Sequence, residues 1–312
     1  MTISTLSTAD IKQKVNRLSA AAGRKTVEPD TAVPGVVGDG QLLPDELLTT
    51  AGLHLDLSPE QRATLSREEI ASITAAGIRF EAVLEAGFSA HIATAPDLTD
   101  PKITFILHEV GEETRHQRLF QRLLTQLAPK AKSPVPFRLV RLGYRAVIEA
   151  TIPNKALFYV LVLGGEEIPD LFQKLASESP ETDPFVRDVN RYHRMEEARH
   201  LSFARAVFPE IWESTNAVDR VLVRYVAPLL IRFMFDSMVH PGVYRVIGLP
   251  GFRTWWAANR TPERRQVRFE STRPILQVLC DSGALPAKAV PAGWRRLCGV
   301  LRNGARADAT AL

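Results

Sequence analysis

The chain has 312 residues, a formal net charge of +4, and 45% apolar and 24% charged side chains. This composition is typical of a globular protein with a sizeable core and excludes a disordered or fibrous chain. The arginines are scattered along the sequence and form no basic patch with aromatic residues, so nucleic-acid binding is not indicated.

The sequence begins with an irregular segment and continues as helices. Residues 1–55 include a segment rich in Pro, Gly and Asp, "VEPDTAVPGVVGDGQLLPDELL", and we predict an extended N-terminal arm there. A helix is predicted to follow, because Ser58 can cap its first turn and Pro59 suits the first helical position. The predicted long helices cover residues 59–94, 101–128, 137–152, 155–177 and 184–207.

The remaining sequence also predicts helices, one of them kinked at Pro228. It contains no convincing alternation of apolar and polar residues that would indicate strands. No Gly- or Ser-rich linker divides the chain. We therefore predict an all-α fold with a single domain over residues 56–305, followed by a loose tail at 306–312.

The sequence gives no sign of export or of a membrane span. It begins without the apolar segment of a secretory signal, and its longest apolar run, residues 156–165, is too short to cross a bilayer. Cys280 and Cys298 are too few for a disulfide framework. We expect a reduced, cytoplasmic protein without a membrane partner.

Two segments repeat the pattern Glu-Glu-x-Arg-His, as "EETRH" and "EEARH". Residues three apart on a helix lie about 60° from one another, so Glu113 shares a face with His116, and Glu197 with His200. His193 lies about 20° from His200 and joins the second face. Bulky apolar residues at helical spacing around both pairs indicate that the two faces are buried.

Two helices that each carry Glu-x-x-His, matched by one carboxylate from each of two further helices, form the dinuclear metal site of ferritin-like bundles. Four carboxylates balance the charge of two divalent ions and can bridge them. Imidazole completes the coordination and suits iron. The repeated pattern therefore predicts a dinuclear iron site in a ferritin-like helical bundle with additional C-terminal helices.

The two further carboxylates are expected on the long helices that precede the repeated segments. On the first of these helices, Glu81 shares the apolar face and Glu85 points away from it, so Glu81 is preferred. On the second, the apolar spacing leans toward Glu167 over Glu166 and leaves the choice open.

The same residues also fit a charged helix surface. Glu112 can pair with Arg115, and Glu196 with Arg199, at i,i+3 spacing. We interpret these four residues as such pairs, or as groups that hold the metal ligands from outside. His108 is interpreted as a core or outer histidine near the site. The histidines without a surrounding motif are interpreted as structural: His54, His91 and His240.

These motifs resemble those of the AurF-like p-aminobenzoate N-oxygenase family, ferritin-like di-iron enzymes that oxidise arylamines. "HRMEEARH" is similar to the family's His-x-x-x-Glu-x-x-His, and "EETRH" to its Glu-x-x-His. The leading histidine is the specific feature, because it is the family's seventh ligand and corresponds here to His193. An ungapped match of the preceding segment implies Glu166 rather than Glu167. The implied ligand set is Glu81, Glu113, His116, Glu166, His193, Glu197 and His200.

The resemblance implies a non-haem di-iron oxygenase that uses dioxygen to oxidise a small organic substrate, with N-oxygenation of an arylamine as the family reaction. No catalytic residue beyond the metal ligands is expected. Two iron ions are expected, with a manganese–iron pair as an alternative, because the ligand types overlap. The alternative functions are a non-catalytic, ferritin-like iron-binding protein and a di-iron hydroxylase of a carbon substrate.

The expected partners follow from the same argument. Electrons are expected from an external reductase or reductant, because the chain carries no GxGxxG fingerprint of a nicotinamide or flavin site. A homodimer is expected for an enzyme of this size.

Overall fold

The computed structural model describes residues 8–24, 27–302 and 304–306. These residues form helices and contain no strand, apart from an isolated bridge between Val300 and Arg306, which confirms the all-α prediction. Two 3₁₀ turns, Asp45–Leu47 and Ala51–Leu53, precede the long helices. The α-helices are α1 (Thr8–Arg24), α2 (Pro29–Ala32), α3 (Pro59–Ala93), α4 (Pro101–Leu127), α5 (Phe137–Thr151), α6 (Lys155–Glu178), α7 (Pro184–Glu213), α8 (Ala217–Val221), α9 (Ala227–Ser237), α10 (Gly242–Val246), α11 (Gly251–Ala258), α12 (Pro262–Asp281) and α13 (Ala292–Cys298).

The helices that carry the candidate ligands begin at side-chain caps. Ser58 and Gln61 form a capping box at the start of α3. Asp100 before α4 and Asp183 before α7 each accept a hydrogen bond from a backbone N–H of the first turn. A proline follows each of these three caps. Proline has no N–H, so it leaves no unpaired donor at the first helical position, and the local sequence fixes these helix starts.

The predicted helix limits agree with the structure except at two prolines. Helix α7 continues through Pro209 to Glu213, because Phe208 and Trp212 still pack into the core there. The kink predicted at Pro228 takes the form of a π turn at Leu222–Val226 between α8 and α9. A proline cannot donate to the preceding turn, which explains why the helical hydrogen bonding changes just before it.

Four long helices form the bundle that holds the candidate site. Helix α3 packs along α4, and α6 packs along α7. Short loops join each pair, as in antiparallel helical hairpins, and the longer connection through α5 links the two hairpins. Helices α9 and α12 pack on the outer side of α6. The bundle core therefore lies between α3, α4, α6 and α7.

One glycine sets the spacing of the helices beside the candidate ligands. A Cβ at Gly165 would lie 1.6 Å from the ring of Phe80, so no other residue fits there without displacing that ring. Phe80 precedes Glu81 on α3, and Gly165 precedes Glu166 on α6. The close approach of these helices brings their two carboxylates into the same region of the core.

The N-terminal segment contains a helix that was not predicted. The arm predicted as extended over residues 1–55 contains α1, which packs against α4 and α7 and buries Ile11 and Val15. Apolar residues at helical spacing explain this correction, because they give α1 a face to bury. The predicted tail at 306–312 lies outside the described residues except for Arg306.

Neither described cysteine forms a disulfide: Cys298 is buried and Cys280 is half-buried. Among the described helices, none has both the length and the apolar character needed to cross a bilayer.

Candidate metal centre

The inner glutamates and histidines of the two repeated segments meet between α4 and α7. Nδ1 of His116 lies 3.4 Å from Oε2 of Glu113 and 3.1 Å from Oε1 of Glu197. Nδ1 of His200 lies 3.2 Å from Oε1 of Glu113 and 3.1 Å from Oε2 of Glu197. All four side chains are buried. Each glutamate thus presents one oxygen to each histidine, as a carboxylate that bridges two ions would.

Glu81 on α3 and His193 on α7 extend this cluster at the His116 end. Oε1 of Glu81 lies 3.1 Å from Nε2 of His193. The His193 and His116 rings have their centroids 4.4 Å apart. Ligand atoms of all three residues lie within 4.8 Å of one another. The structure therefore brings the predicted seventh ligand into the cluster.

Glu166 on α6 is buried at the same cluster, where burial and the nearby charges of Glu197 and Glu113 raise its pKa. Glu167, the residue that apolar spacing favoured, forms an ion pair with Arg205 instead. On α3, the alternative Glu85 accepts a hydrogen bond from the Thr114 hydroxyl at 2.9 Å and is partly exposed. Of the two open choices, the structure places Glu81 and Glu166 among the candidate ligands.

The outer glutamate of each repeated segment contacts the histidine of the opposite helix. Nε2 of His116 lies 3.0 Å from Oε2 of Glu196, and Nε2 of His200 lies 2.9 Å from Oε2 of Glu112. A carboxylate at Nε2 holds the proton there, so Nδ1 is the ring nitrogen that faces the cluster and that a metal ion would bind in place of a proton. The doubled glutamates therefore divide into an inner pair and an outer pair that orients the imidazoles.

Two arginines neutralise the outer glutamates. Arg199 donates to Glu112 at 2.8 Å, and Arg115 lies 3.6 Å from Glu196. The predicted i,i+3 pairs are also present, at 3.8 Å for Arg115 with Glu112 and 3.7 Å for Arg199 with Glu196. Both interpretations of these four residues hold, since they form the charge pairs and also support the imidazoles from outside.

His193 has a different set of neighbours. Its Nδ1 lies 2.9 Å from Oε1 of Gln173 on α6, and the Phe120 ring stacks on it with centroids 4.9 Å apart. Gln173 was not predicted, although it lies two turns after Glu166 and that spacing places both on one face of α6. An amide oxygen can only accept, so His193 donates from Nδ1 and its Nε2 faces Glu81.

The histidines of the cluster differ in their affinity for protons. Burial alone would lower the pKa of His116 and His200, but the surrounding carboxylates outweigh it and raise both pKa values well above the ordinary range. Burial and the charge of His116 lower the pKa of His193 to about 3. A neutral imidazole at His193 is in the form that binds metal.

The carboxyl groups of the cluster have shifted pKa values, because they are buried close to one another. Burial, together with the charges of Glu113 and Glu197, raises the pKa of Glu81 and Glu166 well above the ordinary range. Glu197 has the opposite shift, because the nearby histidines outweigh its burial and lower its pKa. Bound cations would stabilise the ionised form of these buried carboxylates.

The spacing of the nitrogen and oxygen donor atoms in the cluster fits a pair of metal ions. Two donor atoms that bind one ion at about 2.1 Å and at a right angle lie about 3 Å apart, which matches the spacing between imidazole nitrogens and carboxylate oxygens in the cluster. Carboxylate and imidazole donors together suit iron. Within the described part of the chain, the buried carboxylate oxygens of the predicted set that make no well-aligned hydrogen bond are Oε2 of Glu81, Oε1 of Glu113, Oε1 of Glu166 and Oε1 of Glu197.

Glu109 is a further buried carboxylate at the cluster and lies outside the predicted ligand set. It groups with Glu113 and His200, with ligand atoms within 4.8 Å of one another. Its position one turn before Glu113 is the signal that could have found it. His108 is partly exposed and lies against Gly23 of α1, which corrects its interpretation as a core or outer histidine of the site.

Comparison with known proteins connects this site to a family. A family model described as P-aminobenzoate N-oxygenase AurF matches residues 15–283. The uncharacterized proteins Mb0909 of Mycobacterium bovis and Rv0885 of Mycobacterium tuberculosis are each 27% identical over 187 residues. Those matches cover 59% of this chain and 54% of each relative, so the chain spans about half the length of the curated relatives it matches.

The family match extends over the whole bundle and includes each predicted ligand position. Taken with the all-α fold and the buried carboxylate–histidine cluster, it shows that this chain belongs to the p-aminobenzoate N-oxygenase AurF family.

Proposed function

We propose that this protein is a di-iron oxygenase that uses dioxygen to oxidise a small organic substrate. The observation that carries the proposal is the cluster of buried glutamates and histidines between four helices of a chain in the AurF family. Iron bound there would supply the redox chemistry that no side chain of the cluster can supply itself.

The side chains around the cluster would hold and shield this chemistry. Glu113 and Glu197 each face both central histidines and are placed to bridge two ions. The outer carboxylates keep the imidazole lone pairs pointing inward. The Phe120 ring stacks on His193, and the Phe80 ring packs against Gly165 next to Glu166.

We further propose that the substrate is an arylamine and that the oxidised atom is its nitrogen. The family described as P-aminobenzoate N-oxygenase supports this assignment.

The experiment has two stages. Elemental analysis of protein from iron-replete cells should give close to two transition-metal ions per chain, mainly iron, and one tightly bound zinc without iron would contradict the proposal. The reduced protein is then exposed to dioxygen with p-aminobenzoate, and products are identified by mass spectrometry. An oxidised nitrogen product supports N-oxygenation.

Other outcomes of the second stage separate the alternatives. Hydroxylation of a carbon atom in a panel of aromatic and fatty acids would support the di-iron oxygenase assignment and contradict the arylamine as substrate. Iron oxidation without any product would favour an iron-binding protein without turnover.

We propose an external electron donor and a homodimer as partners. The homodimer is supported by an exposed apolar stripe on α8, α9 and the π turn between them. Helix α11 lies beside this stripe, because its Trp255 donates a hydrogen bond to the carbonyl of Asp236 on α9 at 2.9 Å. Side chains of this size, each more than half exposed, present on the order of 700 Å², close to the ~800 Å² per partner of a standard interface. The stripe and its flank comprise Val218, Val221, Tyr225, Leu229, Phe233, Phe252 and Trp256, between 54% and 68% exposed.

A further inference from the structure

The alignment of the two repeated segments can be extended to four residues before their inner glutamates, although the three added residues differ in type. "EVGEETRH" on α4 aligns without a gap with "HRMEEARH" on α7. In this alignment Glu109 corresponds to His193, since each lies four residues before the inner glutamate of its own helix. Residues at i and i+4 share a helix face, so both first residues point toward the cluster.

The two halves of the cluster are related in space as they are in sequence. His193 of α7 lies beside the histidine of the opposite helix, His116, with ring centroids 4.4 Å apart. Glu109 of α4 likewise lies beside the histidine of the opposite helix, with Oε1 3.9 Å from Nδ1 of His200. Glu109 therefore occupies, at the second metal position, the place that His193 occupies at the first.

Among the described residues, Glu109 has no partner that would account for its burial. It is 1% exposed, and neither of its carboxylate oxygens has a hydrogen-bond partner there. Within the part of the chain that the structure describes, its ionic contact is with His200. A carboxylate buried without hydrogen bonds is costly unless it coordinates a cation. Both oxygens of Glu109 are thus available to an ion held by Glu113 and His200.

We propose that Glu109 is an eighth protein ligand of the dinuclear centre and binds the ion on the His200 side. This inference rests on the proposed di-iron function and adds a fifth carboxylate to the four predicted ones. The two ions would then have matched sets of ligands, with Glu81, His116 and His193 at one and Glu166, His200 and Glu109 at the other. The added negative charge would favour the oxidised, more highly charged ions.

Cobalt(II) binding to the metal-free protein tests this ligand without any turnover. The wild type is expected to bind two cobalt ions. Glu109→Gln keeps the size of the side chain but removes its charge. It should weaken the binding of one of the two cobalt ions by about tenfold or more. The visible absorption of cobalt should rise, because fewer ligands surround that ion. Glu109→His should restore two tight ions, since it copies His193. Glu69→Gln, which removes a buried carboxylate away from the cluster, is the control and should match the wild type.

The results separate this proposal from the proposed function. A wild type that binds no pair of metal ions contradicts the di-iron function itself. A wild type with two ions and a Glu109→Gln variant with the same affinity and spectrum contradicts only the eighth ligand. Thermal unfolding of the metal-free proteins adds a second readout. A ligand role predicts that Glu109→Gln is at least as stable as the wild type, because it removes an unpartnered buried carboxylate. A metal-free variant that is less stable or unfolded would make Glu109 a structural residue and overturn the proposal.

Discussion

His200 on α7 and Glu112 on α4 lie 2.9 Å apart between Nε2 and Oε2, and His116 and Glu196 repeat this contact at 3.0 Å with the helices exchanged. The repeated Glu-Glu-x-Arg-His pattern is thus a reciprocal one. Each helix supplies an inner glutamate and histidine for the cluster, and an outer glutamate that orients the histidine of its partner. This explains why two glutamates stand side by side in both segments.

The outer glutamates should control metal affinity without being ligands. Glu112→Gln and Glu196→Gln keep the side-chain size but remove the charge that holds the proton on Nε2. We expect each to weaken metal binding about 10- to 100-fold, measured by cobalt or iron titration of the metal-free protein. Glu85→Gln is the matched control, because Glu85 lies on a neighbouring helix and accepts from Thr114. Equal affinities in all three variants would show that the imidazoles are oriented without the outer carboxylates.

The seventh candidate ligand should behave differently from the bridging pair. His193→Ala is expected to keep two ions but change their absorption spectrum, whereas Glu113→Ala and Glu197→Ala should lose metal, because each faces both central histidines. Gln173→Leu removes the acceptor at Nδ1 of His193 and should reproduce part of the His193→Ala spectral change. A His193→Ala protein with an unchanged spectrum would assign this histidine to the core.

Much of the fold was predictable because its signals are local. The caps Asp100 and Asp183 and the prolines that follow them determine the starts of α4 and α7 from sequence alone. Helix α1 was missed because the Pro- and Gly-rich residues 27–48 that follow it determined the prediction for the whole segment, although α1 itself contains no proline and spaces Ile11 and Val15 one helical turn apart. Its burial depends on packing against α4 and α7, a tertiary effect that composition does not carry.

The candidate site was predictable where one helix contains the whole signal. Glu113 with His116, and Glu197 with His200, follow from spacing along a single helix. The choice between Glu166 and Glu167 depends on which residue faces the cluster, and the apolar stripe alone favoured the one that pairs with Arg205 of α7 instead. Glu109 escaped notice because its role depends on the relation between the two repeated segments.

The exposed apolar stripe should make the protein a dimer. Phe233→Glu places a charge at the most exposed aromatic residue of the stripe, 68% exposed, and is expected to convert the dimer to a monomer in light scattering after gel filtration. Leu98→Glu is the control, since Leu98 is 66% exposed in the loop before α4, away from the stripe. A wild type that is already monomeric, or a Phe233→Glu variant that stays dimeric, would contradict this interface.

Glu69 should make the stability of the metal-free protein fall as the pH rises. It is buried on α3, where it accepts hydrogen bonds from the backbone N–H and the hydroxyl of Thr49, and Arg264 lies nearby. Burial outweighs these groups and raises the pKa of Glu69 from 4.5 to about 7. The folded state therefore holds the proton over a pH range in which the unfolded chain has lost it.

The sign follows from this order of pKa values. Because the folded pKa is the higher one, the stabilising contribution of protonated Glu69 is complete below pH 4.5 and is lost as the pH rises through about 7. We expect the free energy of unfolding of the wild type to fall relative to Glu69→Gln by about 3 kcal/mol across this window. Urea unfolding of both metal-free proteins between pH 5 and about 8 measures the difference, and every other titrating group is common to the two chains. Parallel pH profiles would show that Glu69 keeps an ordinary pKa in the folded protein, with Thr49 and Arg264 compensating its burial.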